Sequence, residues 1–247
     1  MKTEQPASEI QKKFDFSPPR PRPFLTNLPA RIDTYEEGVA GFFRWRTGLE
    51  YYATIDQVLD FVINTRRMKV VDLLTDTGTL ALRLAGRKAF PGRVYSFDDN
   101  VTLLERARQR ARHMNLERSI EFRSSENAVI PVADGFCELA ISFFDFHRHP
   151  AKQFLTEAVR ILAPEGHLIL AEMLEPKSAK NIWKTALRNF ELRWLKKNPA
   201  ESQAVYYDKE EIIRMLFESG FRQVIIQELK HSSSPHEGVF SLIAATK

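Results

Sequence analysis

The stretch VVDLLTDTGTLAL, from Val70 to Leu82, reads as a buried strand that ends in an acid-bearing turn and feeds a helix. Val70, Val71, Leu73 and Leu74 make an apolar run of strand length, and the following Thr, Asp and Gly residues favour a turn over regular structure. The same alternation continues downstream. Strands are predicted over residues 69–74, 93–97, 120–123, 137–143 and 166–172, with helices over 80–87, 101–114 and 151–162 among them. Strands separated by helices at this spacing predict an α/β fold, a mostly parallel sheet with helices on both faces. A last helix over 209–219, stopped by Gly220, leads into strands over 221–229 and 239–246. No helix separates that pair, so the two strands form an antiparallel hairpin at one edge and complete a seven-stranded sheet.

With 43% hydrophobic and 28% charged residues, the 247-residue chain has the balance of an ordinary globular protein. One domain is expected over residues 31–247, preceded by a proline-rich arm over 1–30 in which Pro18, Pro19, Pro21 and Pro23 each fix φ and remove a donor. Residues 34–63 carry the pattern of two further helices. No apolar run approaches membrane-span length and the first residues lack a signal-like apolar segment, so a cytoplasmic protein without a membrane span is expected. Cys137 is the single cysteine, which excludes an internal disulfide and a multi-thiolate metal site. The net charge of +4 is weak evidence for a nucleic-acid partner. Arg106, Arg108, Arg110 and Arg112 lie two apart, so they wrap around their helix and read as a solvated face. Residues 178–197 carry Trp183, Leu187, Phe190 and Trp194 on one helical face. That stripe suits core packing, or a lid formed by residues 178–205 over a pocket at the sheet's carboxyl edge.

Four segments resemble the class I methyltransferases with a Rossmann-like fold, particularly the ubiquinone and menaquinone biosynthesis type, over about Tyr35 to Lys247. They are VVDLLTDTGT from Val70, VYSFD ending at Asp98, FRSSENAVIP from Phe122, and AVRILAPEGHLILAEML from Ala158. The resemblance implies S-adenosylmethionine as cofactor and a small-molecule acceptor. It places the first loop (Asp72, Leu74, Asp76, Gly78) around the methionine moiety and Asp98 on the ribose hydroxyls, a task that suits a carboxylate because both oxygens accept. Asp99, Glu126 and Asn127 then fall near the adenine. Phe143 is expected against the cofactor, Phe144 and Trp183 against the acceptor, and His147, after the fourth strand, is the candidate general base. Of the three glycines the family carries in the first loop, only Gly78 is present, with Leu74 and Asp76 at the other two positions.

Two functions follow. The first is direct methyl transfer from S-adenosylmethionine to a small molecule; the second is a catalytically inactive methyltransferase fold kept as a binding or scaffold subunit, with a protein partner or a homodimer. RNA methylation lacks an aromatic platform or an appended module. A nicotinamide dehydrogenase would need G-x-G-x-x-G in the first loop. Asp145, His147 and His149 are spaced too closely on one loop to specify a metal site.

Overall fold

A computed structural model describes residues 34–126, 129–176, 204–229 and 238–247. The proline-rich arm, the lid helix with Trp183, and Asn127 lie outside the described residues. Two helices come first, α1 (Thr34–Thr47) and α2 (Tyr51–Asn64). Then follow β1 (Lys69–Leu73), α3 (Thr79–Ala85), β2 (Arg93–Asp98), α4 (Val101–His113), β3 (Ile120–Ser124) and β4 (Cys137–Phe143). A single 3-10 turn (Phe146–Arg148), α5 (Ala151–Ile161), β5 (Leu162–Leu174), α6 (Lys209–Glu218), β6 (Gln223–Glu228) and β7 (Val239–Thr246) complete the described chain. The seven strands are ordered β3-β2-β1-β4-β5-β7-β6, parallel from β3 to β5 and antiparallel at β7 and β6, as the strand and helix pattern predicts.

Alternate residues of the central strands feed two cores, because successive side chains of a strand point to opposite faces. Val70, Leu139 and Ile169 pack with Val58 and Leu59 of α2, Leu80 of α3 and Leu104 of α4. Val71, Ala140 and Leu170 pack with Leu155 and Ala158 of α5 and Ile212 and Leu216 of α6. Both faces of the sheet are therefore covered, which explains why β1 and β4 are mostly apolar rather than alternating. Among the described residues no helix is long and apolar enough to cross a membrane.

One boundary differs from expectation for a local reason. The fifth strand begins at Leu162 instead of Gly166: Leu162 pairs with Cys137, and the ladder resumes at His167 opposite Leu139. The turn through Glu165, at φ 59°, is thus an interruption within one strand rather than a loop before it. The fourth helix is capped by Asn100, whose side chain accepts from the backbone N–H groups of Thr102 and Leu103. Asp98 is thereby left for another task.

Candidate active site

β1 hydrogen-bonds to β2 on one side and β4 on the other, so the loops leaving β1 and β4 diverge and open a crevice at their carboxyl ends. A cavity of about 630 Å³ occupies this place. Its floor is Asp72, with Leu74, Thr75, Asp76 and Thr77 of the first loop on one side and Phe143, Phe144, Asp145 and Arg148 on the other. Its roof is α1, which presents Tyr35, Gly38, Phe42 and Trp45. Those four are spaced three, four and three apart, one helical face. That spacing was visible in the sequence and identifies a roof that the lid reading of residues 178–205 did not anticipate.

The first loop keeps a backbone suited to glycine without the glycines. Leu74 and Asp76 sit at φ 61° and 53°, beside Gly78 at φ 78°, and Phe144 across the cavity is at φ 53°. Three non-glycine residues in the left-handed region thus line one cavity, and each costs on the order of 1 kcal/mol against an ordinary conformation. Gly78 has a packing reason besides its φ: a Cβ there would lie 2.9 Å from Ala107 Cβ and 3.1 Å from the Phe122 ring. It lets α3 approach α4 and β3.

Asp98 ties the site's backbone together. One oxygen accepts the N–H of Asp76 at 2.7 Å and the other accepts the N–H of Asn100 at 2.9 Å. Each oxygen retains a lone pair for a further donor. The Arg110 guanidinium, expected on a solvated face, instead donates to the Thr77 carbonyl at 2.9 Å and to Thr79 Oγ1 at 3.0 Å, and pairs with Glu36 of α1 at 3.0 Å. Glu36 also accepts from Thr79 Oγ1 at 2.8 Å, and Tyr35 donates to Asp76 Oδ2 at 3.3 Å. The roof is latched to the loop beneath it.

Burial dominates the electrostatics. It pushes the Asp72 carboxyl up to about 7, against the hydrogen bond from Thr75 that favours its ionised form. Burial followed by the charges of Asp98 and Asp145 pushes Asp76 up to about 6, and Asp76 Oδ1 is buried with no hydrogen-bond partner. Burial also disfavours ionisation of Asp145, but the hydrogen bond from His149 and the charge of Arg148 outweigh it and hold that carboxyl below the usual range. A folded pKa raised above the unfolded value means that the native state binds more protons, so Asp72 makes stability fall as pH rises from about 4 to about 7. Asp72→Asn is expected to remove most of that slope, on the order of 3 kcal/mol over the window. Urea titrations of both proteins at pH 5 and pH 8 test it; an unchanged slope in the variant refutes it.

The remaining expected residues divide. Phe143 and Phe144 line the cavity, and Phe143 also packs 5.5 Å from the Phe43 ring in the core. Asp99 and Glu126 are exposed outside it, Glu126 in an isolated bridge with Val129. His147 does not lie on the cavity wall. It is 1% exposed, its Nδ1 is 2.8 Å from Glu172 Oε1, and its ring stacks on Tyr206 at 4.7 Å. The turn after β4 directs His147 inward and Asp145 toward the cavity, which corrects the expectation of an acceptor-side histidine. Among the described residues no group of three or more His, Cys, Asp or Glu side chains is placed to hold a metal ion.

A sheet of this order with a terminal antiparallel hairpin, and a cavity at the β1/β4 switch point, defines the Rossmann-like class I methyltransferase fold. The chain belongs to the family described as methyltransferase domain, whose model matches residues 64–220. It is 26% identical over 174 residues to a demethylmenaquinone methyltransferase of Lactobacillus johnsonii, covering 64% of this chain and 70% of that one. A protein of the same name from Thermus thermophilus is 30% identical over 122 residues, 49% of this chain and 54% of its own, so the match spans about half of that relative. Among solved structures, geranyl diphosphate methyltransferase in complex with S-adenosylmethionine superposes with a TM-score of 0.63 at 14% identity, covering 89% of this chain and 92% of that one.

Proposed function

We propose that the protein transfers a methyl group directly from S-adenosylmethionine to a small molecule held beneath α1. The observation that carries this reading is the acid-lined cavity at the switch point, in which Asp76 Oδ1 is buried without a partner. A buried carboxylate oxygen left unpaired is costly, and the cost is met when a cation binds there. The donor set fits this cofactor, whose methionine end carries an ammonium and a sulfonium. Asp76 and Asp72 line the cavity and would pair with those charges, and Asp98 has a free lone pair on each oxygen that would serve ribose hydroxyls. The aromatic rings of the roof and of Phe143 and Phe144 exclude water and offer their negative faces to a sulfonium. Leu74 lines the same cavity and would narrow the space for the methionine moiety.

When bound, the cofactor supplies a methyl group on a good leaving sulfur; the protein supplies alignment. In-line displacement needs the acceptor atom held close and on axis, which is worth far more than any single proton transfer. The roof residues Tyr35, Phe42 and Trp45 press a flat acceptor against the first loop, and the names of the two relatives support a ring-bearing acceptor. A scaffold role gives no reason to keep Asp72 and Asp76 buried at a cost in stability, whereas perturbed carboxylates in a cleft are what a working site maintains. Calorimetric titration with S-adenosylmethionine and S-adenosylhomocysteine tests the reading. Micromolar binding is expected, weakened on the order of a hundredfold in Asp98→Ala, because that variant loses the ribose partner and the anchor of the Asp76 N–H. No heat from the wild type, with the fold intact, would overturn it.

A further inference from the structure

Among the described residues that line the cavity, the charged side chains are three carboxylates, Asp72, Asp76 and Asp145, and one guanidinium, Arg148. A cation bound beside Asp72 and Asp76 favours their ionised forms, and with all of them ionised these four groups carry a formal charge of minus two. S-adenosylmethionine brings a net single positive charge, so one negative charge is left on the acceptor's side. That side is aromatic: the Phe42 ring centre lies 5.6 Å from Trp45 and 6.2 Å from Phe144, and these three rings and Asp145 line one stretch of the wall. An anion meets three acids here. A neutral ring gains the apolar contact but leaves the charge unmatched. A ring bearing an ammonium group gains both, because aromatic faces attract cations and a fixed carboxylate pairs with them.

We infer that the acceptor is an arylalkylamine, an aromatic ring carrying an alkylammonium group, that enters as a monocation, its ammonium held by Asp145 and its ring by Phe42, Trp45 and Phe144. The inference rests on the methyltransferase reading and deepens it. Asp145 suits the role by position: it leaves β4 at the cavity edge, with Arg148 2.9 Å from one carboxylate oxygen and His149 Nε2 3.3 Å from the other. Those contacts fix the carboxylate's plane and leave each oxygen a lone pair directed elsewhere. In the reaction Asp145 holds the nitrogen by charge while the ammonium gives one proton to solvent. The freed lone pair on nitrogen forms the bond to the methyl carbon while the carbon–sulfur bond of the donor breaks, its electron pair staying on sulfur. The products are a methylated ammonium, a thioether and a proton released to solvent.

The test is a matched pair of ligands that differ in charge. Protein saturated with S-adenosylhomocysteine is titrated by calorimetry with tryptamine and with 3-indolepropionate. Tryptamine is expected to bind at least about tenfold tighter, and Asp145→Asn is expected to bring the two within about threefold. Equal affinity, tighter binding of the acid, or binding of neither at millimolar concentration overturns the inference. Should Asp145→Asn fail to fold by circular dichroism, Arg148→Met replaces it and is expected to widen the preference for the amine; a narrower preference overturns the inference. The preceding titration with S-adenosylhomocysteine separates the two failures. If it gives no heat, the methyltransferase reading falls, and with it this one; if it binds and tryptamine is not preferred, only the choice of acceptor is wrong.

Discussion

Arg46→Met is expected to destabilise the protein by about 3–5 kcal/mol, the largest effect of any single substitution considered for this fold. Arg46 leaves the last turn of α1 and is 1% exposed; its guanidinium pairs with Glu175, itself 5% exposed, and lies 4.5 Å from the centre of the Tyr206 ring. Methionine fills most of the volume but takes the guanidinium away from a buried carboxylate, whose desolvation is then less well compensated. The expected result in a urea titration is a lower midpoint at unchanged m, the mark of lost stability without a changed unfolded state. Replacing both partners, as in Arg46→Met with Glu175→Leu, is expected to recover most of the loss, because an apolar pair in the same volume leaves no charge behind. A single variant that loses less than about 1 kcal/mol would show that water reaches the pair. The effect also bears on activity. Arg46 and Glu175 fasten the end of α1 to the exit of β5, and Glu36 with Arg110 fastens its start to the first loop. The roof of the cavity is held at both ends by ion pairs, so a weakened Arg46 site loosens the wall formed by Phe42 and Trp45.

The legible part of the molecule was the part written in local pattern. The strand and helix alternation, the hairpin without an intervening helix and the acid at the end of β2 were all read from neighbouring residues. They reappear with boundaries moved by at most two residues, except where the turn through Glu165 proved to lie inside a strand. What sequence reasoning missed depends on contacts between distant segments. Arg110 is one of several alternating arginines on a helix, and only the approach of α4 to the first loop and to Glu36 distinguishes it from its solvated neighbours. His147 and Asp145 lie two residues apart, and periodicity cannot say which faces the cavity, because the 3-10 turn between β4 and α5 decides it. The first loop was read correctly as a departure from glycine, but its consequence could not be. Leu74 and Asp76 keep the left-handed backbone, so the chain path survived the loss of the residues that make it easy.

That survival separates two roles that glycine usually fills together, and single substitutions pull them apart. Leu74→Gly is expected to stabilise the fold slightly, since about 1 kcal/mol of left-handed strain is relieved while the apolar contacts of the leucine and some backbone order are lost. Its effect on the cofactor should be favourable, because the side chain that narrows the methionine end is gone: S-adenosylhomocysteine is expected to bind several-fold tighter. Asp76→Gly relieves the same strain and also removes a buried carboxyl that burial has pushed up to about 6, so it too is expected to raise stability. Its ligand effect has the opposite sign. With Oδ1 gone, the ammonium and sulfonium lose a partner in a site screened from water, and S-adenosylmethionine is expected to bind on the order of tenfold to a hundredfold more weakly. A melting curve and a calorimetric titration on each variant decide the matter. If Asp76→Gly both melts higher and binds more tightly, the aspartate is an obstruction and the loop works only as far as it still resembles glycine. If it melts higher and binds more weakly, the protein keeps a strained, buried acid because its ligand is a cation, which is how stability is exchanged for function at a binding site.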